Sequence, residues 1–310
     1  MTRQSKRAVV VTGASTGIGA ACVEMLIDRG FFVFGSVRRT EDAARLQARF
    51  GADFAPLMFD VTDASAVARA AQEVEASLGG ATLAGLVNNA GIAVPGPLLH
   101  LPVEDFRRQI ETNLVGQLQV VQAFAPLLGA RAPQGGPPGR IVNMSSVAGR
   151  FATPFLGAYN ASKFGLEGFS DALRRELMIY GIDVIVIEPG MIATPIWDKA
   201  DNADFTHFDR TIYGPAARRV QKWAVEGGHA APGPEKVAEA VLRALTSPRP
   251  PARIPVVANR FLGYTLPGLL PARLVDWLTA RRLGFSETRK KLRADALQSQ
   301  STADGGENGQ

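Results

Sequence analysis

Cysteine occurs once in the 310 residues, at Cys22, so no disulfide framework can form within the chain. Cys22 falls inside an apparent helix from Gly19 to Arg29, where buried filler is its expected role. Long apolar runs are also missing. The polar MTRQSKR leads into AVVVTG, too short for a signal-peptide core, so no targeting segment is expected. The longest candidate for a membrane span, Phe261 to Ala272, holds prolines and glycines and is closed by Arg260 and Arg273. It is well short of the roughly 20 apolar residues a crossing needs, and a cytoplasmic location is expected. Nor are charges of one sign run together: 34 basic and 29 acidic residues are spread along the chain for a net charge of +5. A nucleic-acid footprint would be a clustered basic face, so no nucleic-acid partner is expected.

What is present suits a packed core. Hydrophobic residues make up 46% and charged residues 20%, which argues against general disorder. The length exceeds the usual domain of about 100 to 200 residues, but doubly wound folds reach about 250 as one unit. One large domain with a C-terminal extension is therefore expected. Short β-branched runs alternate with helical patterns: AVVVT, then GIGAACVEMLIDRG; FFVFGSV, then TEDAARLQARFG; FAPLMFDV, then ASAVARAAQEVEASL; and LAGLVNNAG. A long helix around Pro102 to Leu128, the strand RIVNMSS, a helix through Tyr159, the strand DVIVIEPG, a helix near Glu235 to Leu245 and a strand near Arg253 to Val257 follow. The alternation predicts an α/β fold, a seven-stranded parallel sheet with helices on both faces. Gly129 to Gly139, rich in proline and glycine, reads as a loop.

The reactive stretch is SVAGRFATPFLGAYNASK, from Ser146 to Lys163. Tyr159 and Lys163 stand four residues apart, so a helix projects both from one face. An ammonium beside a phenol favours the phenolate and is expected to lower the Tyr159 pKa from about 10. A tyrosine so tuned can give a proton to, or take one from, a substrate oxygen. Ser146, just after the fifth strand, can offer that oxygen a neutral hydrogen bond. Near the start, Gly13, Gly17 and Gly19 follow the first strand and open the first helix. There small residues let the backbone approach a pyrophosphate favoured by the helix N-terminus; the rival reading is a tight turn without a ligand.

Ser146, Tyr159 and Lys163, with Thr12-Gly13-Ala14-Ser15-Thr16-Gly17-Ile18-Gly19 and Asn88-Asn89-Ala90-Gly91, resemble the short-chain dehydrogenase/reductase family. The likeness covers residues 8 to 258, in the family's order and spacing. It implies a doubly wound Rossmann domain over residues 1 to 258 with strand order 3-2-1-4-5-6-7. A helical extension from 259 to 297 and a disordered tail from 298 to 310 would follow. It also implies that Asn113 is a fourth catalytic residue, holding a water that relays protons to Lys163. Residue chemistry alone says only that an asparagine inside a helix suggests a kink or a bound water.

The cofactor side is expected to use Gly13, Ser15, Thr16, Gly17, Ile18 and Gly19 at the pyrophosphate. By resemblance, Asp60 and Val61 meet the adenine, Asn89, Ala90 and Gly91 line the floor, and Tyr159 and Lys163 reach the nicotinamide ribose. Pro189 and Gly190 end the sixth strand sharply, and the resemblance puts Ile192 and Thr194 at the nicotinamide carboxamide. Asp60 has a rival role as a helix cap, though Asp63 fits that job better. Val37 stands where NAD-preferring relatives usually carry Asp, and Arg38 and Arg39 follow it. The guanidinium groups suit a 2′-phosphate, and no carboxylate stands at Val37 to repel that phosphate, so NADP(H) is expected over NAD(H). The alternative is a pair of solvated arginines opening a helix. No metal site is expected.

Segments expected to rim the substrate supply Val94, Phe151, Phe155, Leu156, Met191, Ile196, Trp197, Phe205, Phe208 and Tyr213, with few charges. Among these, Val94, Phe151, Phe155, Met191 and Trp197 are the expected substrate contacts. An apolar lining suits a bulky hydrophobic alcohol or ketone, and the resemblance points to hydroxysteroid-, retinoid- or lipid-like carbonyls. His207 reads as a bystander. In the extension, Leu274, Val275, Trp277 and Leu278 with Arg273, Arg281 and Arg282 predict a basic amphipathic helix. Its readings rank as packing over the substrate mouth, a subunit contact, then peripheral membrane attachment. A homodimer or homotetramer is implied by the resemblance. Two other functions compete: a reductase of carrier-bound acyl groups, and a dinucleotide-sensing regulator without turnover. A regulator would have no need for the complete set Asn113, Ser146, Tyr159 and Lys163.

Overall fold

The apolar runs become strands, and their alternation decides which helix layer each residue meets. The computed structural model describes residues 6–131, 136–202, 204–290 and 292–294; the tail 298–310, expected to be disordered, lies outside them. Among the described residues the strands are β1 (Ala8–Val11), β2 (Phe32–Val37), β3 (Phe54–Met58), β4 (Gly85–Asn88), β5 (Arg140–Met144), β6 (Asp183–Pro189) and β7 (Arg253–Val256). They form one parallel sheet in the order β3-β2-β1-β4-β5-β6-β7. The order reverses between β1 and β4, and a crevice opens at the carboxyl ends of strands at such a switch point.

Helices α1 (Gly17–Asp28) and α2 (Thr40–Phe50) cover one face of the sheet. On the other lie α3 (Ala64–Leu78), α4 (Val103–Ile110), α5 (Gly116–Phe124) and α6 (Gly157–Glu176). Val9 and Val11 join the core under α1, where Cys22 and Leu26 are buried, while Val10 joins the core under α3 and α5 with Val74 and Phe124. All four residues of β1 and of β4 are buried, as expected where both faces are covered. Burial pushes the Cys22 thiol up to about 12, which fits a filler rather than a nucleophile.

Further along, α7 (Ile196–Asp201), α8 (Thr206–Asp209) and α9 (Gly214–His229) cross the carboxyl end of the sheet, and α10 (Glu235–Thr246) joins the α1 face. The extension holds a π-helical turn (Phe261–Thr265), α11 (Leu266–Leu269) and α12 (Ala272–Arg282), none with a buried residue. No helix among the described residues is long and apolar enough to cross a membrane. Asp63, not Asp60, caps α3, accepting from the Ala66 amide at 2.9 Å.

The helix that carries Tyr159 and Lys163 is tied to the sheet by a buried polar ladder. Asn88 Nδ2 donates to Asn143 Oδ1 at 3.0 Å, Asn143 Nδ2 to Ser170 Oγ at 2.9 Å, and Ser170 Oγ to the Leu166 carbonyl at 2.6 Å. Asn88 and Asn143 are register partners on β4 and β5, so the ladder runs straight across two strands into α6. Truncating the middle rung strands polar groups on both sides. Asn143→Ala is expected to lower stability by about 2 kcal/mol, read from equilibrium urea unfolding; an unchanged midpoint would show that the ladder does not hold α6.

Candidate active site

The turn after β1 brings backbone close to backbone. Gly13 and Gly17 have φ of +66° and +56°, which favour glycine. A Cβ on Gly13 would lie 3.0 Å from the Ala90 Cα, and one on Gly19 only 2.1 Å from the Gly13 carbonyl. Thr12 Oγ1 accepts from the Asn89 and Ala90 amides at 2.9 and 3.0 Å, and Asn89 Nδ2 donates to the Thr12 carbonyl at 2.9 Å. Asn89 to Gly91 thus form the wall of the turn. Across it, a Gly17 Cβ would meet the Thr194 side chain at 3.3 Å, so the loop after β6 closes the other side. This cradle of bare backbone at the start of α1 fits a dinucleotide pyrophosphate.

At the end of β2, Val37 is buried and Arg38 and Arg39 are exposed. No acid stands at Val37, but Asp60 arrives from the end of β3 with Oδ2 3.3 Å from the Arg38 Nη1. Arg39 pairs with Glu41 at 3.3 Å. Both are solvent-exposed pairs, which contribute little to stability. Partial burial would raise the Asp60 pKa, but hydrogen bonds from Thr62 and the Arg38 pairing hold it below the usual value. Sequence reasoning missed Arg45, whose Nη2 donates to the Ser15 carbonyl at 2.9 Å. Its spacing to Asp42 is visible in the chain, but its reach to the turn is not.

Asn113 sits at the centre of a π-helical turn, Glu111–Val115, between α4 and α5, so the irregularity expected there is present. Such turns are often found at functional sites. Its Oδ1 accepts from the Ile92 amide at 2.8 Å, and its Nδ2 donates to the Ile92 carbonyl at 3.0 Å and to Ser162 Oγ at 3.1 Å. The side chain thereby ties the loop after β4 to α6.

Ser146 follows β5 and caps a 3-10 turn, accepting from the Ala148 amide at 3.1 Å and donating to the Pro189 carbonyl at 3.3 Å. Ser146 lies near enough to the Tyr159 hydroxyl to act on its proton affinity, so β5, β6 and α6 bring these groups together. The tuning differs from the expectation. Lys163 Nζ donates to the Met144 carbonyl at 2.6 Å and lies 5.8 Å from the Tyr159 ring centre, drawn toward the strand end. Packing around the phenol pushes the Tyr159 pKa up, and Ser146 acts against that rise without cancelling it. Burial pulls Lys163 down to about 8, opposed by the charge of Glu167. Glu167 was also missed, although it continues the four-residue spacing of Tyr159 and Lys163.

The same combination of turn, sheet order and residues recurs in known proteins. The family model described as short chain dehydrogenase matches residues 7–204. The chain belongs to the short-chain dehydrogenase family. It is 39% identical to an NADPH-dependent 3-dehydrocapnine reductase of Ornithobacterium rhinotracheale, over 87% of this chain and 95% of that protein. Identity to human retinol dehydrogenase 5 is 34%, covering 86% of each chain. The crystal structure of a short chain dehydrogenase from Burkholderia cenocepacia J2315 in complex with NADP superposes with a TM-score of 0.65 at 26% identity, covering 91% of this chain and 99% of that one. As a short-chain dehydrogenase, the chain is an oxidoreductase that acts on a CH–OH or carbonyl group with NAD(P).

The expected substrate rim of this dehydrogenase divides. Val94 is buried, its amide donating to Gln109 Oε1 at 2.7 Å. Phe155 is buried at a strained φ of +66° in an aromatic cluster with Phe205, Phe208, Tyr213 and Phe285. Phe151 packs edge-on against Tyr264. Met191 and Trp197 depart from the expectation. The Trp197 ring lies against Gly228 of α9, and its Nε1 donates to the Ile192 carbonyl at 2.7 Å. Met191 lies against Gly227 and lines a cavity of about 620 Å³ with Met25, Arg29 and Lys236, away from Ser146, Tyr159 and Lys163. Helical spacing could not foretell which face of the loop after β6 each side chain takes. The cradle yields a direct test. Gly19→Ala forces a backbone shift, and overpacking of that kind costs enough to weaken NADPH binding about tenfold, as measured by nicotinamide fluorescence titration; unchanged affinity would mean the turn does not carry the pyrophosphate.

Proposed function

We propose that the chain is an NADP(H)-dependent short-chain dehydrogenase/reductase that interconverts a bulky hydrophobic ketone or aldehyde and its alcohol. The observation that carries this reading is the meeting of Ser146, Tyr159 and Lys163 at the carboxyl end of β5, facing the crevice that the glycine turn opens. When bound, the dinucleotide supplies or accepts the hydride.

The residues suited to hold it are Gly13, Ser15, Thr16, Gly17, Ile18 and Gly19 at the pyrophosphate and Asp60 and Val61 at the adenine. Asn89, Ala90 and Gly91 form the floor, and Pro189, Gly190, Ile192 and Thr194 the nicotinamide side. Arg38 and Arg39 suit the 2′-phosphate because each can exchange an exposed carboxylate for it, while the buried Val37 offers no acid to the ribose. The NADPH dependence named for the Ornithobacterium relative supports the same preference.

In reduction, Ser146 orients the carbonyl oxygen and Tyr159 gives it a proton. Tyr159 is well matched to that step while its phenol stays protonated, as its raised pKa keeps it. Lys163 lies on the same face of α6, where its charge can stabilise the phenolate that remains. Asn113 holds the loop after β4 against α6 and maintains the proton relay. In oxidation Tyr159 takes the proton back.

The aromatic wall of Phe155, Phe205, Phe208 and Tyr213 supports an apolar substrate. The part of the extension from Tyr264 to Phe285 acts as a cover on that side, since Tyr264 meets Phe151 and Phe285 meets Phe155. Homo-oligomer formation follows the outer face of α5 and α6, where Leu118 and Phe164 are exposed at 39 and 46%. Phe164→Glu is expected to shift the protein to smaller species in sedimentation velocity, and an unchanged distribution would move the interface elsewhere.

The deciding experiment follows NADPH and NADH consumption in parallel across steroid, retinoid, aliphatic and acyl-thioester carbonyls. Tyr159→Phe is expected to lower kcat by about a thousandfold with little change in cofactor affinity. Arg38→Asp is expected to remove the preference for NADPH, and retained selectivity would overturn that assignment. Binding of both cofactors with no turnover of any carbonyl would favour a dinucleotide-sensing regulator instead.

A further inference from the structure

A buried chain of charges runs from Lys163 to the C-terminal extension. Lys163 and Glu167 stand one turn apart on the same face of α6, only 5 and 6% exposed. Glu167 Oε2 accepts from Arg253 Nε of β7 at 2.9 Å, and its Oε1 is buried without a protein partner. Arg253 also reaches Asp171 Oδ2 at 3.0 Å and Glu188 Oε1 at 3.9 Å. Glu188, at the end of β6, has no exposed surface, and its two oxygens lie 3.0 and 2.9 Å from the Tyr264 hydroxyl. Tyr264 belongs to the π-helical turn of the extension, with its ring against Phe151 and the Arg150 guanidinium 5.8 Å from its centre.

Such a cluster is a poor device for adhesion alone. Apolar side chains of similar size would hold β7 and α6 together without desolvating charges. Moreover, a buried carboxylate that keeps one oxygen unpaired, one helical turn from a buried ammonium that it does not contact, acts on that ammonium through its field rather than through a bond.

We propose that Glu167 is a positioning residue for the reaction, the buried counter-charge of Lys163, itself held in place from the C-terminal extension through Arg253, Glu188 and Tyr264. The inference rests on Lys163 serving the reaction as read above. Lys163 meets the Met144 carbonyl at the end of β5, the Tyr159 ring and the charge of Glu167 on α6; behind Glu167 stand Arg253 of β7 and, beyond it, Asp171 of α6 and Glu188 of β6. Burial favours the neutral amine and brings Lys163 to about 8, and Glu167 supplies the opposing negative charge. Burial and the neighbouring Glu167 push Glu188 up, while the hydrogen bond from Tyr264 opposes both. Loss of that bond would let Glu188 take a proton more easily. The site would then be less negative, Arg253 would draw harder on Glu167, and the Lys163 ammonium would be less favoured.

The chain has seven lysines, so Lys163 can be read directly in the full-length protein labelled with ¹³C at lysine Cε, its signal assigned by loss in Lys163→Arg. In Glu167→Gln the Lys163 titration is expected to move down by about one pH unit, since removing a negative charge disfavours the ammonium, and Glu167→Asp should restore most of it. Tyr264→Phe, outside α6, is expected to move it the same way by a smaller step. The alkaline limb of kcat/KM should move with each titration. If Glu167→Gln fails to fold, Tyr264→Phe carries the test. A Lys163 titration that stays in place in the folded variants overturns the inference, whatever happens to their stability, and so does one that moves while the alkaline limb does not. Wild-type protein that reduces no carbonyl, with a titration that still moves, supports the counter-charge and overturns the reading of the reaction instead.

Discussion

The site depends on the docking of α6 against the carboxyl ends of β5 and β6. Tyr159 and Lys163 are useful only if their helix face is fixed relative to Ser146, which belongs to the sheet side. Two sets of buried polar bonds fix it: the ladder from Asn88 through Asn143 to Ser170, and the hydrogen bond from Lys163 to the Met144 carbonyl. Hydrophobic burial under α6 is non-directional and would tolerate sliding or rotation. Buried hydrogen bonds do not, because each displaced rung leaves an unpaired polar group away from water. The surrounding core supplies adhesion, and the ladder supplies register.

The opposite wall of the crevice follows a different constraint, closeness of backbone. Gly13, Gly17 and Gly19 remove side chains where the turn, the wall from Asn89 to Gly91 and the loop at Thr194 converge. Thr12 and Asn89 satisfy the backbone groups that such a tight approach would otherwise strand. The crevice is therefore closely packed and hydrogen-bonded at the glycine turn. The side proposed for the substrate is built instead from aromatic packing, with the strained Phe155 held among Phe205, Phe208 and Phe285.

Electrostatics in the site are set more by burial than by the partner next in the helix. Lys163 is the clearest case, since spacing brings it to the face of Tyr159 while the Met144 carbonyl and Glu167 determine where its charge sits. The phenol in this arrangement holds its proton, as the proposed donor in reduction would.

By itself the sequence determined the strand and helix alternation, the glycine turn and the pairing of Tyr159 with Lys163, all of which rest on local periodicity and on residues whose chemistry narrows their use. It also located the irregularity at Asn113, because an asparagine inside a helix competes for backbone bonds. The strand order and Asn113's relay role came from family resemblance, since periodicity carries no information on which strands adjoin. Only the tertiary structure decided that Asp60 meets Arg38, that Trp197 and Met191 turn toward α9, and that Arg253 and Tyr264 close on Glu167 and Glu188. Those outcomes join residues far apart in the chain, and they depend on burial and distance, which spacing along the chain does not encode.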